Sequence, residues 1–468
     1  MKRTISVMLS VILAVSALCG CGAQEKASEA AVPAVVSEPQ QQEQQAEPVT
    51  LTVTGSWEES PAMEAVASAF SEKYPECSVV YEYVQNYSDS LLTRLKSGDA
   101  KLDLFVTNNI QPGSDLAPYA LELLSQGGAL DLSGTFDGLI QNFVYRDGTD
   151  VKKLYAVPLG AELRGMYVNK TLLAKCGLEV PKNRDELLAA CDTLLAAGYV
   201  PIQANPGRAG QQLMYPYICS MIANAEDYDS VYNKINKREA GISEFFRDPM
   251  QLMYTMVEKG YYNYKYIENT TGAFTDGTAD DNVRSFLNIT GENGEYVKAD
   301  DVGLVAFMPS VMSIGRMMEK YKEDYHSGID YEFVLSPVGK DGGYAYMSPS
   351  EGMAINSASP NTEWALKFMN FLLEPEMNKK YAELQNITPN TADAFDQIKQ
   401  KFSVPDDRIS QLGSVTFDYE FYGVINETLT EISKANNPKY MIDNGDGTYS
   451  MYTLDYYMEN MEQRFKDA

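Results

Sequence analysis

An alternation of strands and helices at the start of the folded part is the feature that most constrains this chain. Residues 51–54 alternate apolar and polar side chains and predict a strand, and Pro61 predicts the first turn of a helix. A second strand near Tyr83, a helix over residues 90–96 and a short strand over residues 102–106 follow. This order predicts an α/β fold with a parallel sheet covered by helices. In such sheets ligands bind beside the carboxyl ends of the strands.

The length of the chain indicates more than one hydrophobic core. The sequence has 468 residues, and a segment rich in Ala, Glu, Gln, Ser and Pro occupies residues 22–48. That segment contains no aromatic residue and cannot bury enough apolar surface to offset the entropy of ordering, so it is predicted to be a flexible tether. The roughly 420 residues that follow exceed what one hydrophobic core usually spans, which predicts two lobes.

Composition argues against several functional classes. The formal net charge of −27 argues against binding of nucleic acid and against adhesion to anionic lipid. His326 is the only histidine, which removes most routes to metal ligation and to His-based nucleophilic catalysis. Cys77, Cys176, Cys191 and Cys219 are irregularly spaced and include no C-x-x-C pair, so buried free thiols are predicted rather than a zinc site or a disulfide framework. We therefore predict neither a metal nor a cofactor.

The first 21 residues carry export signals. Lys2-Arg3 precedes an apolar run over residues 5–18, which is the layout of a secretory signal peptide and is too short to cross a bilayer stably. The run ends in Leu18-Cys19-Gly20-Cys21, which resembles the bacterial lipobox. The resemblance implies removal of residues 1–20 and a lipid on Cys21, which would anchor the protein to the cell membrane on its extracellular face, or in the periplasm of a Gram-negative host. An ordinary signal peptide with chance cysteines is the alternative.

Several segments of the folded part agree, in their order, with those of a known family. They are Tyr155-Ala156-Val157-Pro158-Leu159-Gly160-Ala161-Glu162 with Tyr167-Val168-Asn169-Lys170, then Phe307-Met308-Pro309-Ser310, Ile355-Asn356-Ser357-Ala358-Ser359-Pro360-Asn361 and Glu420-Phe421-Tyr422-Gly423-Val424. Together they resemble the extracellular solute-binding proteins that include maltose-binding protein, over essentially the whole chain from residue 49 onward.

The resemblance implies a periplasmic-binding-protein-like fold, in which two α/β lobes are joined by crossing segments and close on a ligand by hinge motion. It implies a first lobe over residues 49–160 and about 350–392, and a second over residues 161–348 and about 393–468. The implied function has no catalytic step. A monomeric receptor would capture an extracellular carbohydrate, in our interpretation an oligosaccharide, and deliver it to the transmembrane subunits of an ABC permease.

Residues of the types that bind sugars stand at the strand ends and implied crossings. Aromatic faces cover the C–H side of a sugar ring, and carboxylates, amides and arginine hydrogen-bond its hydroxyl groups. The predicted ligand-binding residues are Trp57, Asn108, Asn109, Glu162, Arg164, Gln212, Tyr215, Ser310, Ser348, Glu351, Phe421 and Tyr422. Glu162 leads this set, because by resemblance it matches an acceptor for a sugar hydroxyl. Structural roles are the alternatives. They are a carboxylate on the hinge surface for Glu162, core packing for Trp57, a turn for Asn108 and Asn109, and a salt bridge between lobes for Arg164.

Departures from the family pattern leave the ligand open. The place of Ser310 often holds a large residue in the family, and Phe421 stands where a tryptophan is familiar, so a sugar other than maltose is predicted. A receptor for a peptide or a polyamine is one alternative function, and a receptor that feeds a sensor kinase is another. A secreted glycoside hydrolase would need paired carboxylates, and no acid–nucleophile pair is identifiable in the sequence.

Overall fold

Strands and helices alternate through the part of the chain that the computed structural model describes, which is residues 48–56, 60–146, 152–204, 206–237, 239, 241–263, 278–289, 304–410 and 419–467. The strands are β1 Val49–Gly55, β2 Cys77–Tyr83, β3 Leu104–Thr107, β4 Tyr145–Arg146, β5 Lys152–Lys153, β6 Val157–Pro158, β7 Gly160–Asn169, β8 Val200–Ile202, β9 Val305–Val311, β10 Tyr331–Val334, β11 Ala345–Pro349, β12 Gly352–Ile355, β13 Thr388–Pro389, β14 Ile409–Ser410, β15 Ile442–Asp443 and β16 Tyr449–Ser450. The helices are α1 Pro61–Lys73, α2 Tyr87–Lys96, α3 Asp137–Phe143, α4 Lys170–Lys175, α5 Arg184–Ala196, α6 Pro206–Ala223, α7 Tyr228–Lys237, α8 Ile242–Phe245, α9 Arg247–Glu258, α10 Thr278–Phe286, α11 Gly315–Asp324, α12 Thr362–Leu373, α13 Pro375–Gln385, α14 Ala394–Phe402, α15 Tyr419–Ser433 and α16 Leu454–Asp467.

The first sheet contains five strands in the order β2-β1-β3-β12-β6. Strand β1 pairs in parallel with β2 and with β3, as the alternation of the sequence predicts. Strand β12 pairs antiparallel with both β3 and β6, so the sheet is mixed at the edge formed by the later segments. Helices α1, α12 and α13 cover this sheet, and the apolar core between them contains Val53, Phe70 and Phe368.

The second sheet is organised around the long strand β7. Strands β9 and β10 pair antiparallel with the second half of β7, from its two edges, and strands β11 and β13 pair antiparallel with its first residues. Strand β8 pairs in parallel with β9, and β14 pairs in parallel with β11. Helices α6, α9 and α15 pack together over the main core of this half, which includes Met166, Leu213, Met253 and Leu429. The sequence predicted strands and helices here but not that one strand would carry four antiparallel partners.

Two short crossings join the sheets. The chain leaves β6 in the first sheet and enters β7 in the second through Leu159, and it returns from β11 to β12 through Ser350 and Glu351. The crossings hold each other, because the Leu159 N–H donates to the Glu351 carbonyl at 2.9 Å and the Ser350 N–H donates to the Gly160 carbonyl at 2.9 Å. The predicted α/β fold with two lobes and crossing segments is confirmed, and the residue boundaries of the lobes stay a prediction.

Glycine is required where the crossings meet. A Cβ atom on Gly160 would lie 2.5 Å from Ile387 Cδ1 and 2.7 Å from the carbonyl oxygen of Thr388. Both atoms belong to the segment that forms β13, which pairs with the start of β7. The absence of a side chain at Gly160 therefore lets a third segment approach the two crossings.

A buried carboxylate ties three segments of the first lobe together. The Asp103 side chain is 1% exposed and accepts hydrogen bonds from the Thr52 N–H at 2.9 Å, the Ser359 hydroxyl at 2.5 Å and the Asn361 amide at 3.1 Å. Thr52 belongs to β1, and the other two donors belong to the turn between β12 and α12. A buried ionisable group with three donors is satisfied, and it fixes the position of that turn against the sheet.

The remaining predictions of this part concern the cysteine thiols and the N-terminal segment. Cys77, Cys191 and Cys219 are buried and Cys176 is partly buried, and all four are free thiols. In the described part of the chain, no helix combines the length and the apolar character that crossing a membrane requires. The predicted signal peptide, Cys21 and the tether up to residue 47 lie outside the described residues.

Candidate functional site

The candidate site lies on one face of β7, between the two crossings. Side chains alternate along a strand, so Glu162 and Arg164 project from the same face of β7. Ser348 on β11 is the register partner of Glu162, and Val311 on β9 is the register partner of Arg164. Paired residues of an antiparallel sheet direct their side chains to the same face. The structure thus brings together the predicted residues Glu162, Arg164 and Ser348.

Glu162 is a partly buried carboxyl group with an unusual acidity. The Ser313 N–H donates a hydrogen bond to Glu162 Oε2 at 3.3 Å. Burial raises the pKa of Glu162 from its ordinary 4.5 to about 7, although the bonds from Ser313 and the positive charges of Arg164 and Arg316 act in the opposite direction. Near neutral pH this side chain is therefore present in both forms and can accept or donate a hydrogen bond.

Arg164 is enclosed by neutral groups. Its Nη1 atom donates to Gln212 Oε1 at 3.3 Å, and its Cζ atom lies 5.6 Å from the ring centroid of Tyr215 and 5.8 Å from that of Tyr346. Its Nε atom is buried and has no hydrogen-bond partner among the described residues. Among the described residues Arg164 forms no ion pair, so the alternative role as a salt bridge between lobes finds no partner there, and Arg164 lies in an aromatic and amide environment.

Helix α6 supplies two of these neighbours. Gln212 and Tyr215, with Cys219 one turn further on, recur at the spacing of one helix face. Gln212 is 1% exposed and Tyr215 is 5% exposed, so both support Arg164 from inside the second lobe. Pro216 lies within this helix and has no N–H to donate to the Gln212 carbonyl, which loosens the helix beside the site. Burial raises the pKa of the Cys219 thiol to about 12, so this cysteine stays a neutral packing residue.

The other predicted residues of the second lobe have different positions. Ser310 on β9 is the register partner of Gly165, so its side chain lies on the opposite face of the sheet from Glu162 and Arg164. Phe421 and Tyr422 belong to helix α15, but their side chains lie outside the described part of the structure. Their assignment as ligand-binding residues stays a prediction.

The predicted residues of the first lobe lie at the end of β3 and at the second crossing. Asn108 and Asn109 follow β3 directly and are exposed, and the Asn109 amide donates to the Asn142 carbonyl at 2.8 Å. Thr107, at the end of β3, is the register partner of Gly352, which follows Glu351. Asn108 and Glu351 therefore extend from neighbouring positions at this edge of the first sheet. Trp57 lies outside the described residues.

Four residues of the site were missed by the sequence analysis. They are Ser313, Arg316, Tyr346 and Cys219. Tyr346 and Ser348 alternate along β11, and this period-2 pattern next to Ser348 was a usable signal. Ser313 lies in a short turn after β9 and Arg316 is the second residue of α11, so the pairing of β7 with β9 is what brings both residues near Glu162.

Buried amides hold the backbone that carries this site. The Asn378 side chain donates to the Leu159 carbonyl at 3.0 Å, and the Asn390 side chain donates to the Pro158 carbonyl at 2.7 Å. The Asn390 N–H also donates to the Asn378 side chain at 2.7 Å. These bonds hold the carbonyls on either side of the step from β6 to β7, and they fix where β7 begins.

The chemistry of the site suits a polar ligand with several hydroxyl groups. A carboxyl group, a guanidinium group and the Ser348 hydroxyl share one face, and aromatic rings lie beside them. Within the described ranges, no group of three or more His, Cys, Asp or Glu side chains is placed to hold a metal ion. The arrangement offers both hydrogen-bond donors and hydrogen-bond acceptors to such a ligand.

Comparisons with known proteins agree with this description. The family model for bacterial extracellular solute-binding proteins matches residues 54–379. No curated protein sequence matches the chain.

Solved structures share the fold over nearly the whole chain. The structure of RafE in complex with raffinose has 16% sequence identity and a TM-score of 0.54, and the match covers 90% of this chain and 99% of that one. The sugar-binding protein MalE from Xanthomonas citri has 16% identity, a TM-score of 0.58 and coverage of 90% and 97%. A sugar transporter from Bacillus licheniformis in complex with stachyose has 17% identity, a TM-score of 0.54 and coverage of 90% and 100%. At these identities the likeness shows the two-lobed α/β fold.

Proposed function

Because this chain belongs to the bacterial extracellular solute-binding proteins, we propose that it captures a carbohydrate outside the cell, an oligosaccharide, and delivers it to the transmembrane subunits of an ABC permease. The observation that carries the proposal is the face of β7 between the crossings, where Glu162, Arg164 and Ser348 meet. Hydrogen-bonding groups placed on the segments that join two lobes bind a ligand most strongly when the lobes close, so capture and closure are one equilibrium.

Two kinds of observation support a sugar as the ligand. The similar structures include complexes with raffinose and with stachyose. The site itself combines a carboxyl group, an arginine, a hydroxyl and the rings of Tyr215 and Tyr346, which is the mixture that a ring of sugar hydroxyls requires. The two arginines Arg164 and Arg316 that act on Glu162 disfavour a polyamine, because a polycation needs an excess of negative charge.

We expect one class of oligosaccharide to raise the Tm of the predicted mature chain, residues 21–468. A ligand at about a hundred times its dissociation constant stabilises the folded state by roughly 2.7 kcal/mol. Glu162→Gln should weaken binding of that ligand about tenfold, because a charge-assisted hydrogen bond is worth about 1.5–3 kcal/mol. The measurement is a thermal-shift screen of mono- and oligosaccharides, amino acids, peptides and polyamines, followed by calorimetric titration.

Glu72→Gln is the matched control, since Glu72 is an exposed carboxylate on α1, far from β7 in the fold. It should bind the ligand as the unchanged protein does. Stabilisation by peptides or polyamines alone would refute the carbohydrate assignment, and equal affinities of the Glu162→Gln and Glu72→Gln proteins would refute the site. A deletion strain with undiminished uptake of the sugar would point to a sensor kinase instead of a permease.

We also propose that a lipid on Cys21 anchors the protein to the extracellular face of the cell membrane. The support is the order of Lys2-Arg3, the apolar residues 5–18 and Cys21. We expect cells grown with a labelled fatty acid to label the protein, and we expect Cys21→Ala to abolish the label and release the protein from the membrane fraction. Cys19→Ala is the control, and a label that survives Cys21→Ala would exclude this anchor.

A further inference from the structure

Arg164 is a cation whose described neighbours are an amide and two aromatic rings. Gln212 offers an amide oxygen at 3.3 Å from Nη1, and Tyr215 and Tyr346 offer ring faces at 5.6 and 5.8 Å from Cζ. No carboxylate of the described residues lies within ion-pair distance of Arg164, whereas Arg94, Arg184, Arg247 and Arg464 each have at least one carboxylate partner. Arg164 therefore differs from those arginines in having no described acidic partner.

Such an arrangement favours an external acceptor. A guanidinium group carries five donors in a planar fork that matches a carboxylate with two parallel hydrogen bonds. Only one donor of Arg164 has a described acceptor, and the Nε donor is buried with none among the described residues. Arg164 is partly buried, and a charge that has lost part of its water without gaining a partner is costly, so an anion that reached the fork would gain more here than at a fully solvated arginine.

The nearby carboxyl groups do not supply the missing charge. Glu162 lies two residues away on the same strand face, but its Oε2 accepts from the Ser313 N–H, and burial raises its pKa to about 7, so part of its negative charge is absent at neutral pH. Arg164 therefore has no carboxylate within ion-pair distance among the described residues, although Glu162 acts on it electrostatically from the same strand face.

We propose that Arg164 makes the site selective for saccharides that carry a carboxylate, which means oligosaccharides containing a uronic acid. The inference rests on the proposed function and specifies its ligand class. The aromatic rings of Tyr215 and Tyr346 hold the guanidinium plane, the carboxylate of the sugar accepts from it, and Glu162 with Ser348 binds the hydroxyl groups. The net charge of −27 opposes the approach of an anion, so added salt should speed association by screening that repulsion.

Paired ligands that differ only in a carboxylate or a hydroxymethyl group at C6 test this selectivity by calorimetric titration of the predicted mature chain. Galacturonic-acid trimers are compared with galactose trimers, and xylose oligomers with a glucuronic-acid branch are compared with the same oligomers with a glucose branch. We expect the uronate of at least one pair to bind ten or more times as tightly as its neutral partner. Arg164→Met, which keeps an apolar stem against the rings, should remove this preference, and Arg164→Lys should keep part of it.

The outcomes separate this inference from the proposed function. A neutral oligosaccharide that binds at least as tightly as its uronate partner would overturn the role of Arg164 and leave the carbohydrate receptor standing. An unchanged preference in Arg164→Met, in protein whose Tm and circular dichroism show a folded state, would also overturn it. Binding of neither series, with stabilisation by a peptide instead, would overturn the proposed function and this inference together.

Discussion

Asp103→Ala is expected to lower the free energy of unfolding of this protein by about 4 kcal/mol, because three donors lose a charged acceptor that is itself buried. The Thr52 N–H, the Ser359 hydroxyl and the Asn361 amide all point at this carboxylate, and the side chain is only 1% exposed. Water cannot replace the acceptor without opening the turn between β12 and α12. The measurement is the midpoint of denaturation in urea, followed by circular dichroism.

Two further variants show whether the hydrogen bonds are the cause. Asp103→Asn keeps the shape and can still accept from Ser359 and Asn361, but its amide would oppose the Thr52 N–H donor, so we expect a smaller loss. Asp89→Ala removes an exposed carboxylate in the first turn of α2 and should cost less than about 1 kcal/mol. Equal midpoints for Asp103→Ala and Asp89→Ala would contradict the role of Asp103 in holding the turn between β12 and α12 against the sheet.

Stability should fall as the pH rises from about 5 to about 8, by up to about 3 kcal/mol, and Glu162 should be the cause. Burial raises the pKa of Glu162 from 4.5 to about 7 in the folded state. The folded protein therefore holds this proton more tightly than the unfolded chain does. The resulting stabilisation is complete below the unfolded pKa and is lost as the pH passes through the folded pKa.

Glu162→Gln should remove this slope, because glutamine keeps the shape of the neutral carboxyl group and does not titrate. Carboxyl groups whose pKa values are lowered by their partners, such as Asp99, Asp248 and Asp393, act below pH 4.5 and leave this interval unaffected. The free energy of unfolding is measured at half-unit steps of pH for both proteins without ligand. Parallel curves for the two proteins would show that Glu162 titrates normally.

Local sequence patterns predicted the elements better than their ends. The alternation in residues 51–54 gave the position of β1, and Pro61 stands at the first residue of α1. The helix predicted over residues 90–96 begins three residues earlier, at Tyr87. Its N-cap Asn86 has a left-handed backbone with φ of 51° and makes no capping bond with its side chain, so the usual start signal is absent. Pattern alone cannot locate such an end.

Local sequence patterns predicted only part of the candidate site. Glu162 and Arg164 share a face because side chains alternate along any strand, which needs no tertiary information. Ser310 was predicted to bind the ligand with them, and the register of β9 against β7 places its side chain on the other face of the sheet. A shift of one residue in the register would place the Ser310 side chain on the face of Glu162, and nothing in the local sequence fixes the register.

The sequence by itself determined the kinds of element, the two-lobed α/β class and the residue types available for binding, because these follow from periodicity, length and composition. The tertiary structure alone decided that Arg164 lies against Gln212, 48 residues later in the chain, and between the rings of Tyr215 and Tyr346. It also decided that burial changes the acidity of Glu162. Contacts and desolvation depend on which faces of distant segments pack together, and that packing is a property of the whole fold.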